Sequence, residues 1–269
     1  LIAHIRQSKA LPQLTGLVYL VSGARSGATP WASHTFDSYF RGASEQAARR
    51  GFHLEPFGIR DPGLNEGRID KILRARGIPG VIIGPNETPS LPFPRLPWSR
   101  LAAVLIGYGF PELPLDRVLA NFYKATLMAM AFLKHEQCAP VRLILPEVHD
   151  RNVLHLWKAA YLQKRLGQER RFLAPIVVGA PGPAVKWVKE NPDCIVLGTN
   201  LVHQWLHDAG LREHIHFRFV SLNVEGIAGM TGVCEPSRDV GAEAADRVIS
   251  LIHLNSQGMP VKPHITLIE

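Results

Sequence analysis

Apolar runs alternate with amphipathic stretches along almost all of this chain of 269 residues. The runs GLVYLV (16–21), GVIIG (80–84) and LAAVLIG (101–107) predict buried strands, while stretches such as 65–76 place apolar residues at the helical period of 3.6. Strands that alternate with helices are typical of parallel sheets with right-handed crossovers. The pattern therefore predicts an α/β fold.

The alternation falls into two series of similar length, the first ending near residue 107 and the second beginning at a helix over 122–135. Two series predict two doubly wound Rossmann-like lobes. We expect residues 14–119 plus 234–257 to form the N-terminal lobe and residues 120–233 plus 258–269 to form the C-terminal lobe. The chain would then cross between the lobes three times, near 119–121, 230–233 and 257–261.

Composition narrows the class of protein. Hydrophobic residues make up 46% of the chain and charged residues 20%, as in a folded globular protein. No apolar run approaches the roughly 20 residues of a membrane span, so no membrane partner is expected. The three cysteines form no CxxC pair, and the first residues lack the apolar core of a signal peptide. A cytoplasmic protein is expected. A mature chain from which a signal peptide has been removed is the alternative.

The formal net charge of +7 would suit a polyanionic partner. The basic residues, however, stand in short runs that close predicted helices, where cations complement the helix dipole and aid solubility. Those runs are ARR (48–50), RAR (74–76), QKR (163–165) and ERR (169–171). We interpret the charge as a solvated surface, with a DNA-binding footprint as the alternative.

Enzyme signatures are absent from the sequence. GARSGATP (23–30) lacks the Gly-Lys-Ser/Thr of a phosphate-binding loop, and GYGF (107–110) lacks the third glycine of a dinucleotide fingerprint. His203 and His207 have metal-ligand spacing but no accompanying glutamate or third ligand. We predict no catalytic residue, no metal and no cofactor. A small-molecule enzyme on a Rossmann-like fold remains the weakest alternative.

An ordered set of segments resembles the effector-binding domain of the lactose-repressor (LacI/GalR) family of bacterial transcription regulators. The segments are TFDSYFRGASEQAARRGFHLEPFGIRDPG (35–63), RIDKILRARGIPGVIIGP (68–85), VLANFYKATLMAMAFL (118–133), PDCIVLGTNLVHQWLHDAGLR (192–212), FVSLNVEG (219–226) and TGVCEPSRDVGAEAADRVISLI (231–252). The last is similar to a family pattern that reads TTVRQP at its start. No single segment carries the resemblance alone.

The resemblance implies a type I periplasmic-binding-protein-like fold that binds a small effector, a sugar or related polyol, between its lobes. It also implies a homodimeric repressor whose DNA contacts come from a helix-turn-helix domain before residue 1, with residues 1–13 as a remnant of the linker. The first alternative is a solute-binding receptor of a sugar transporter. The sequence does not identify the effector, its action as inducer or corepressor, or the operator.

Ligands of open α/β sheets bind at the carboxyl ends of the strands. Phe36 and Asn223 are the strongest site candidates, because the resemblance and their positions beside strand ends agree. The full set of candidate ligand-binding residues is Ser22, Phe36, Arg60, Asn86, Tyr108, Asp150, Arg151, Asn200, Asn223 and Glu225. Trp31, Tyr123 and Trp157 are further aromatic candidates, with core packing favoured for Trp157.

Two departures from the family pattern point to an unusual ligand or a degenerate site. Val153 stands where the family's sugar sites commonly carry an arginine, and Arg151, two residues earlier, either substitutes for it or faces solvent. Asn223 stands where the family carries an aspartate, so that position keeps its hydrogen-bonding capacity but loses its charge.

Overall fold

A computed structural model describes residues 15–21, 34–86, 93–134, 139–166 and 172–269. Its elements, in chain order, are β1 (Thr15–Val21), α1 (His34–Arg49), β2 (Phe52–Gly58), α2 (Glu66–Ala75), β3 (Gly80–Ile83), β4 (Ala102–Ile106), β5 (Asp116–Ala120), α3 (Phe122–Lys134), β6 (Val141–Pro146), α4 (Glu147–Asn152), α5 (Leu156–Arg165), β7 (Ile176–Val178), α6 (Gly182–Glu190), β8 (Cys194–Gly198), α7 (Asn200–Asp208), β9 (Phe217–Ser221), α8 (Ser237–His253) and β10 (Ile265–Ile268).

The strands form two parallel sheets. A six-stranded sheet has the order β10-β5-β4-β3-β1-β2, and a four-stranded sheet has the order β7-β6-β8-β9. We call the six-stranded sheet with α1, α2 and α8 the first lobe, and the four-stranded sheet with α3 to α7 the second lobe. The predicted α/β class with two parallel sheets is confirmed.

Helices cover both faces of the six-stranded sheet, which explains why its strands are continuous apolar runs. Leu17 and Tyr19 of β1 point into a cluster with α1 and α8, whereas Val18 and Leu20 point into a second cluster with α2. Alternate residues of one strand therefore serve opposite faces. Both faces of the strand are buried, so neither face needs polar side chains.

The helices α1 and α8 approach each other unusually closely. A Cβ atom placed on Gly241 would lie 2.0 Å from the carbonyl oxygen of Tyr39, and one placed on Gly42 would lie 2.0 Å from that of Arg238. Only glycine permits this approach of the two backbones. The contact matters for the site because α1 carries Phe36 and Tyr39 at its amino-terminal end.

The four-stranded sheet is covered in the same way. Leu143 and Leu145 of β6 pack on α3 and α5 through the apolar cluster that also contains α1 and α8, while Ile144 packs on α6 and α7. One apolar cluster therefore runs through both lobes.

The end of the chain corrects the expected division into lobes. Residues 258–269 were expected in the C-terminal lobe, but β10 pairs with β5 from Ile265–Arg117 to Ile268–Ala120 and lies at the edge of the six-stranded sheet. Asp116 fixes this arrangement, since it accepts hydrogen bonds from Arg247 of α8 (2.7 Å) and from the backbone of His264 (2.9 Å). The chain passes between the sheets after β5 and again between β9 and α8.

Two local expectations also differ. The sequence predicted neither β5 nor the short helix α4 that precedes α5. Leu154 and His155 separate the two helices with φ of 51° and 61°, a left-handed conformation that a continuous helix excludes. None of the helices in the described ranges is long and apolar enough to cross a membrane.

Candidate functional site

A cavity of about 500 Å³ lies between the carboxyl ends of the two sheets. Both lobes and the crossing between β9 and α8 contribute to its wall. The lining residues are Thr35, Phe36, Tyr39, Pro85, Asn86, Gly107, Tyr108, Gly109, Phe122, Val148, His149, Asn152, Val153, Trp157, Thr199, Asn200, Leu201, Asn223 and Glu235. We call this cavity the cleft.

Arg117 holds the loop that carries Tyr108 into the cleft. Its guanidinium donates hydrogen bonds to the carbonyl oxygens of Gly107 (3.2 Å), Gly109 (2.8 Å), Phe110 (2.8 Å) and Leu113 (2.9 Å). Burial raises the pKa of Tyr108, so its hydroxyl is neutral and can donate. The first lobe thus presents Tyr108 from a backbone fixed by one side chain.

Asn223 joins three parts of the wall. Its Nδ2 donates to Thr35 Oγ1 (3.1 Å) and Glu235 Oε2 (3.0 Å), and its Oδ1 accepts from the backbone nitrogen of Glu225 (2.9 Å). Both amide hydrogens are therefore used within the protein. Asn223 lies in the cleft wall as expected, but most of its hydrogen-bonding capacity serves to connect β9, α1 and the crossing segment.

Asn200 and Ser221 support Asn223 from behind. Asn200 Nδ2 donates to the carbonyl oxygen of Asn223 (3.0 Å), and Ser221 Oγ lies 2.8 Å from Asn200 Oδ1 and 2.7 Å from the same carbonyl. Asn200 begins α7, directly after β8. The ends of β8 and β9 are thereby held in register at the cleft.

Glu235 is a half-buried carboxylate in the crossing segment. Its Oε1 accepts a hydrogen bond from the Tyr39 hydroxyl, and its Oε2 accepts one from Asn223. Loss of hydration, together with the nearby Glu225 carboxylate, raises the pKa of Glu235 to about 7 against the opposing effect of the Tyr39 bond. The pKa of Tyr39 lies well above its usual value because of burial and the same carboxylate.

His149 and Trp157 line the opposite wall from the second lobe. His149 Nδ1 lies 3.2 Å from Thr199 Oγ1, and burial lowers the pKa of His149, so the ring is neutral at pH 7. The indole of Trp157 is 8% exposed and meets Phe122 edge-on with ring centroids 5.6 Å apart. Its Nε1 is buried and has no hydrogen-bond partner within the described ranges.

The structure brings half of the predicted site residues together. Phe36, Asn86, Tyr108, Asn200 and Asn223 line the cleft, and Phe36 also stacks on Tyr39 with ring centroids 6.4 Å apart. Their role in binding stays a prediction. Ser22 lies outside the described residues, as does Trp31.

The other predicted residues do not line the cleft. Asp150 is 1% exposed, and its carboxylate pairs with His155 (2.7 Å) and Lys158 (3.0 Å). Arg151 is exposed on α4, Arg60 follows β2, and Glu225 contributes its backbone nitrogen to Asn223. Because α4 begins directly at the end of β6, Asp150 and Arg151 lie on a helix and not in a loop after the strand.

Sequence reasoning missed Tyr39, His149 and Glu235, and it favoured a core role for Trp157, which packs in the core and also lines the cleft. Tyr39 follows Phe36 by three positions and shares its helix face. Glu235 stands where the family pattern TTVRQP carries glutamine, and this exchange was the available signal. Among the described residues, no group of three His, Cys, Asp or Glu is arranged to hold a metal ion.

No family model and no curated protein sequence matches the chain. Several solved structures, however, are similar to it in fold. A periplasmic binding protein/LacI transcriptional regulator from Alkaliphilus metalliredigens QYMF, complexed with D-xylulofuranose, has a TM-score of 0.65 at 14% identity, covering 95% of this chain and 97% of its own. A LacI transcriptional regulator from a Rhodococcus species has a TM-score of 0.66 at 14% identity, covering 95% of each chain.

The complex of the transcriptional regulator CelR with cellobiose has a TM-score of 0.64 at 17% identity, covering 100% of this chain and 86% of its own. At these identities the likeness concerns the arrangement of elements and not the side chains in the cleft. This chain has the type I periplasmic-binding-protein-like fold that these regulators share.

Proposed function

We propose that this chain is the ligand-sensing domain of a bacterial transcriptional regulator and binds a small polyhydroxylated molecule, a sugar or related polyol, in the cleft. The observation that carries the proposal is the cleft itself. It lies between the carboxyl ends of two parallel sheets and has aromatic side chains beside neutral hydrogen-bonding groups.

The lining suits a polyol. Phe36, Tyr108 and Trp157 offer aromatic faces or edges to the C–H side of a sugar, while Asn86 and Asn152 are planar amides that can meet hydroxyl groups. The volume falls within the range of roughly 300–1,000 Å³ common for small-molecule sites. Structures of similar fold hold D-xylulofuranose, cellobiose and ribose, which supports a ligand of this class.

A ligand that contacts both lobes would favour one angle between them, since it binds that state more tightly. In the proposed regulator, this angle sets the spacing of two helix-turn-helix domains in a cytoplasmic homodimer. The chain then acts as a binding domain rather than an enzyme. Its DNA contacts are made by a domain that precedes residue 1.

The test is a thermal-shift screen of pentoses, hexoses, disaccharides and alditols, followed by calorimetric titration of each hit. Trp157→Phe removes the unpartnered indole nitrogen from the cleft and should weaken binding about 3- to 10-fold. Trp187→Phe is the matched control, because Trp187 is similarly buried but packs on the far face of the four-stranded sheet.

Equal losses in the two variants, or binding that neither variant changes, would contradict a ligand in the cleft. The regulatory part is tested separately by the sequence encoded upstream of residue 1. A helix-turn-helix there supports the proposal, and a secretory signal peptide in its place favours the transporter receptor.

A further inference from the structure

Glu235 is the one side chain in the described lining that can carry a full charge at neutral pH. The other titratable lining groups are Tyr39, Tyr108 and His149, and burial keeps all three neutral. No lysine or arginine belongs to the described lining. The cleft therefore has an acidic wall with no basic counterpart in the described ranges.

Among the described residues, the charge on Glu235 has no cationic partner. Its two hydrogen-bond donors, Tyr39 and Asn223, are neutral, and the neighbouring ionisable group is another carboxylate, Glu225. One oxygen of Glu225 is buried without a hydrogen-bond partner among the described residues. Two carboxylates that repel each other, with no cation beside them in the described ranges, are unfavourable until a positive group enters.

The remainder of the cleft suits a cation with an apolar or hydroxylated body. The faces and edges of Phe36, Tyr108 and Phe122 provide aromatic contacts, which attract cations as well as C–H groups. Trp157 is more than nine-tenths buried and has an unpartnered Nε1, which can donate to a ligand hydroxyl. This observation is independent of the carboxylates.

We propose that the ligand carries a protonated amine, as an amino sugar or amino-polyol does, and that its ammonium group lies against Glu235. The inference rests on the proposed function and names the class of ligand for the same cleft. The ammonium group donates to a carboxylate oxygen and reduces the repulsion between Glu235 and Glu225. A charge-assisted bond in this setting is stronger than one between neutral groups.

The test compares matched ligands that differ by one amine. Isothermal titration at about pH 8 uses D-glucitol against 1-amino-1-deoxy-D-glucitol, whose alkyl amine is protonated at that pH. A charge-assisted hydrogen bond gives the alkyl amine about 10- to 100-fold tighter binding than its neutral counterpart. D-glucuronate, which is an anion, should bind more weakly than D-glucose.

Glu235→Gln removes the charge and keeps the shape. Its amide oxygen can accept from Asn223 and its amide nitrogen can donate to the Tyr39 hydroxyl, so the surrounding bonds persist. In this variant, the preference for the amine should fall to within about threefold. Glu190→Gln is the control, because Glu190 is exposed on α6 and pairs only at 3.9 Å with Lys186; it should keep the wild-type preference.

The pH dependence is a second readout on the wild-type protein. The groups that face Glu235 are Tyr39 from α1, Asn223 after β9, and Glu225 in the crossing segment, with His149 of α4 in the opposite wall. Because the amine needs an ionised Glu235, its affinity should rise about tenfold between about pH 5.5 and pH 8. The affinity of D-glucitol should not rise.

The outcomes separate this inference from the proposed function. Neutral ligands that bind as tightly as their amines, or a pH-independent amine affinity, overturn the amine class and leave a sugar sensor. Failure of both series to bind contradicts both proposals. If Glu235→Gln shows no cooperative melting transition, the pH series on the wild type decides alone.

Discussion

In the first lobe, Arg117 donates to four backbone carbonyl groups, and Asp116 accepts from Arg247 and from His264. In the second lobe, Trp157 Nε1 and one oxygen of Asp150 are buried without a partner in the described ranges. Arg117 and Asp116 thus have their bonds within the protein. Trp157 and Asp150 have bonding capacity left over.

The contrast separates groups that hold the cleft from groups that can hold a ligand. A buried polar group with all its bonds costs stability when it is removed, because its partners lose theirs. A buried donor without a partner already costs free energy in the unliganded protein, and a ligand that accepts from it recovers that cost. Substitutions of the two kinds of group should therefore change different measurements.

The largest effect is expected at Asp116. Asp116→Ala leaves the Arg247 guanidinium without its carboxylate and the His264 nitrogen without its acceptor, in a site where Asp116 is 3% exposed. Breaking a buried pair from one side costs about 3–5 kcal/mol of unfolding free energy. Because Arg247 keeps some exposure, the lower end of that range is expected.

Urea unfolding of the variant measures this cost. The matched control is Glu190→Ala, which removes a carboxylate from the exposed pair with Lys186 and should change the unfolding free energy by less than about 0.5 kcal/mol. Similar losses in the two variants would show that Asp116 does not fasten α8 and β10 to β5.

Gly241→Ala should have the next largest effect. The added Cβ would meet the Tyr39 carbonyl oxygen at 2.0 Å, so α8 must move away from α1. Overpacking of this kind costs about 1–3 kcal/mol. Since α1 carries Phe36 and Tyr39, ligand affinity should fall together with the melting temperature.

Gly182→Ala controls for the exchange of glycine by alanine, because nothing lies within 4 Å of a Cβ at that position at the start of α6. That variant should match or exceed the wild-type melting temperature. A melting temperature of Gly241→Ala equal to that of the wild type would mean that the close helix contact is not needed.

Asn223→Ala should cost about 1–2 kcal/mol of unfolding free energy, because Thr35, Glu235 and the backbone of Glu225 each lose a partner. Asn152→Ala removes an amide that lines the same cleft from the second lobe, and we expect it to change affinity more than stability. Urea unfolding and ligand titration of both variants distinguish the two roles. Equal stability losses would remove the distinction between groups that hold the cleft and groups that can hold a ligand.

The sequence predicted most strands because they are buried on both faces and read as uninterrupted apolar runs. It did not predict β5, since DRVLA begins with Asp116 and Arg117, whose charges are satisfied by partners that lie far along the chain or on a neighbouring loop. The position of β10 could not be predicted from the sequence either. Its half-exposed sequence ITLI carries no information about which sheet it joins.

Site residues could be predicted where they directly follow the end of a strand. Tyr108 follows β4 and Asn223 follows β9, and both lie in the cleft wall. Glu235 was not predictable in this way, because it belongs to an irregular crossing segment whose course depends on how the two lobes meet. The charge of a carboxylate there also depends on its neighbours, Glu225 and the Tyr39 hydroxyl, and Tyr39 is distant in sequence.

The smallest effect near pH 5, and one that grows as the pH rises, is expected from Glu235→Gln on stability. The folded protein raises the pKa of Glu235 to about 7 from a usual value of 4.5, so the native state binds a proton that the unfolded chain has lost between those values. Stability due to this group is therefore greatest below about pH 4.5 and falls as the pH rises toward about 7. Glutamine stays neutral throughout, so Glu235→Gln should melt at a higher temperature than the wild type at about pH 8 and at nearly the same temperature at about pH 5. Melting curves of both proteins across that interval measure the difference. Parallel curves for the two proteins would mean that Glu235 ionises as freely in the cleft as in water.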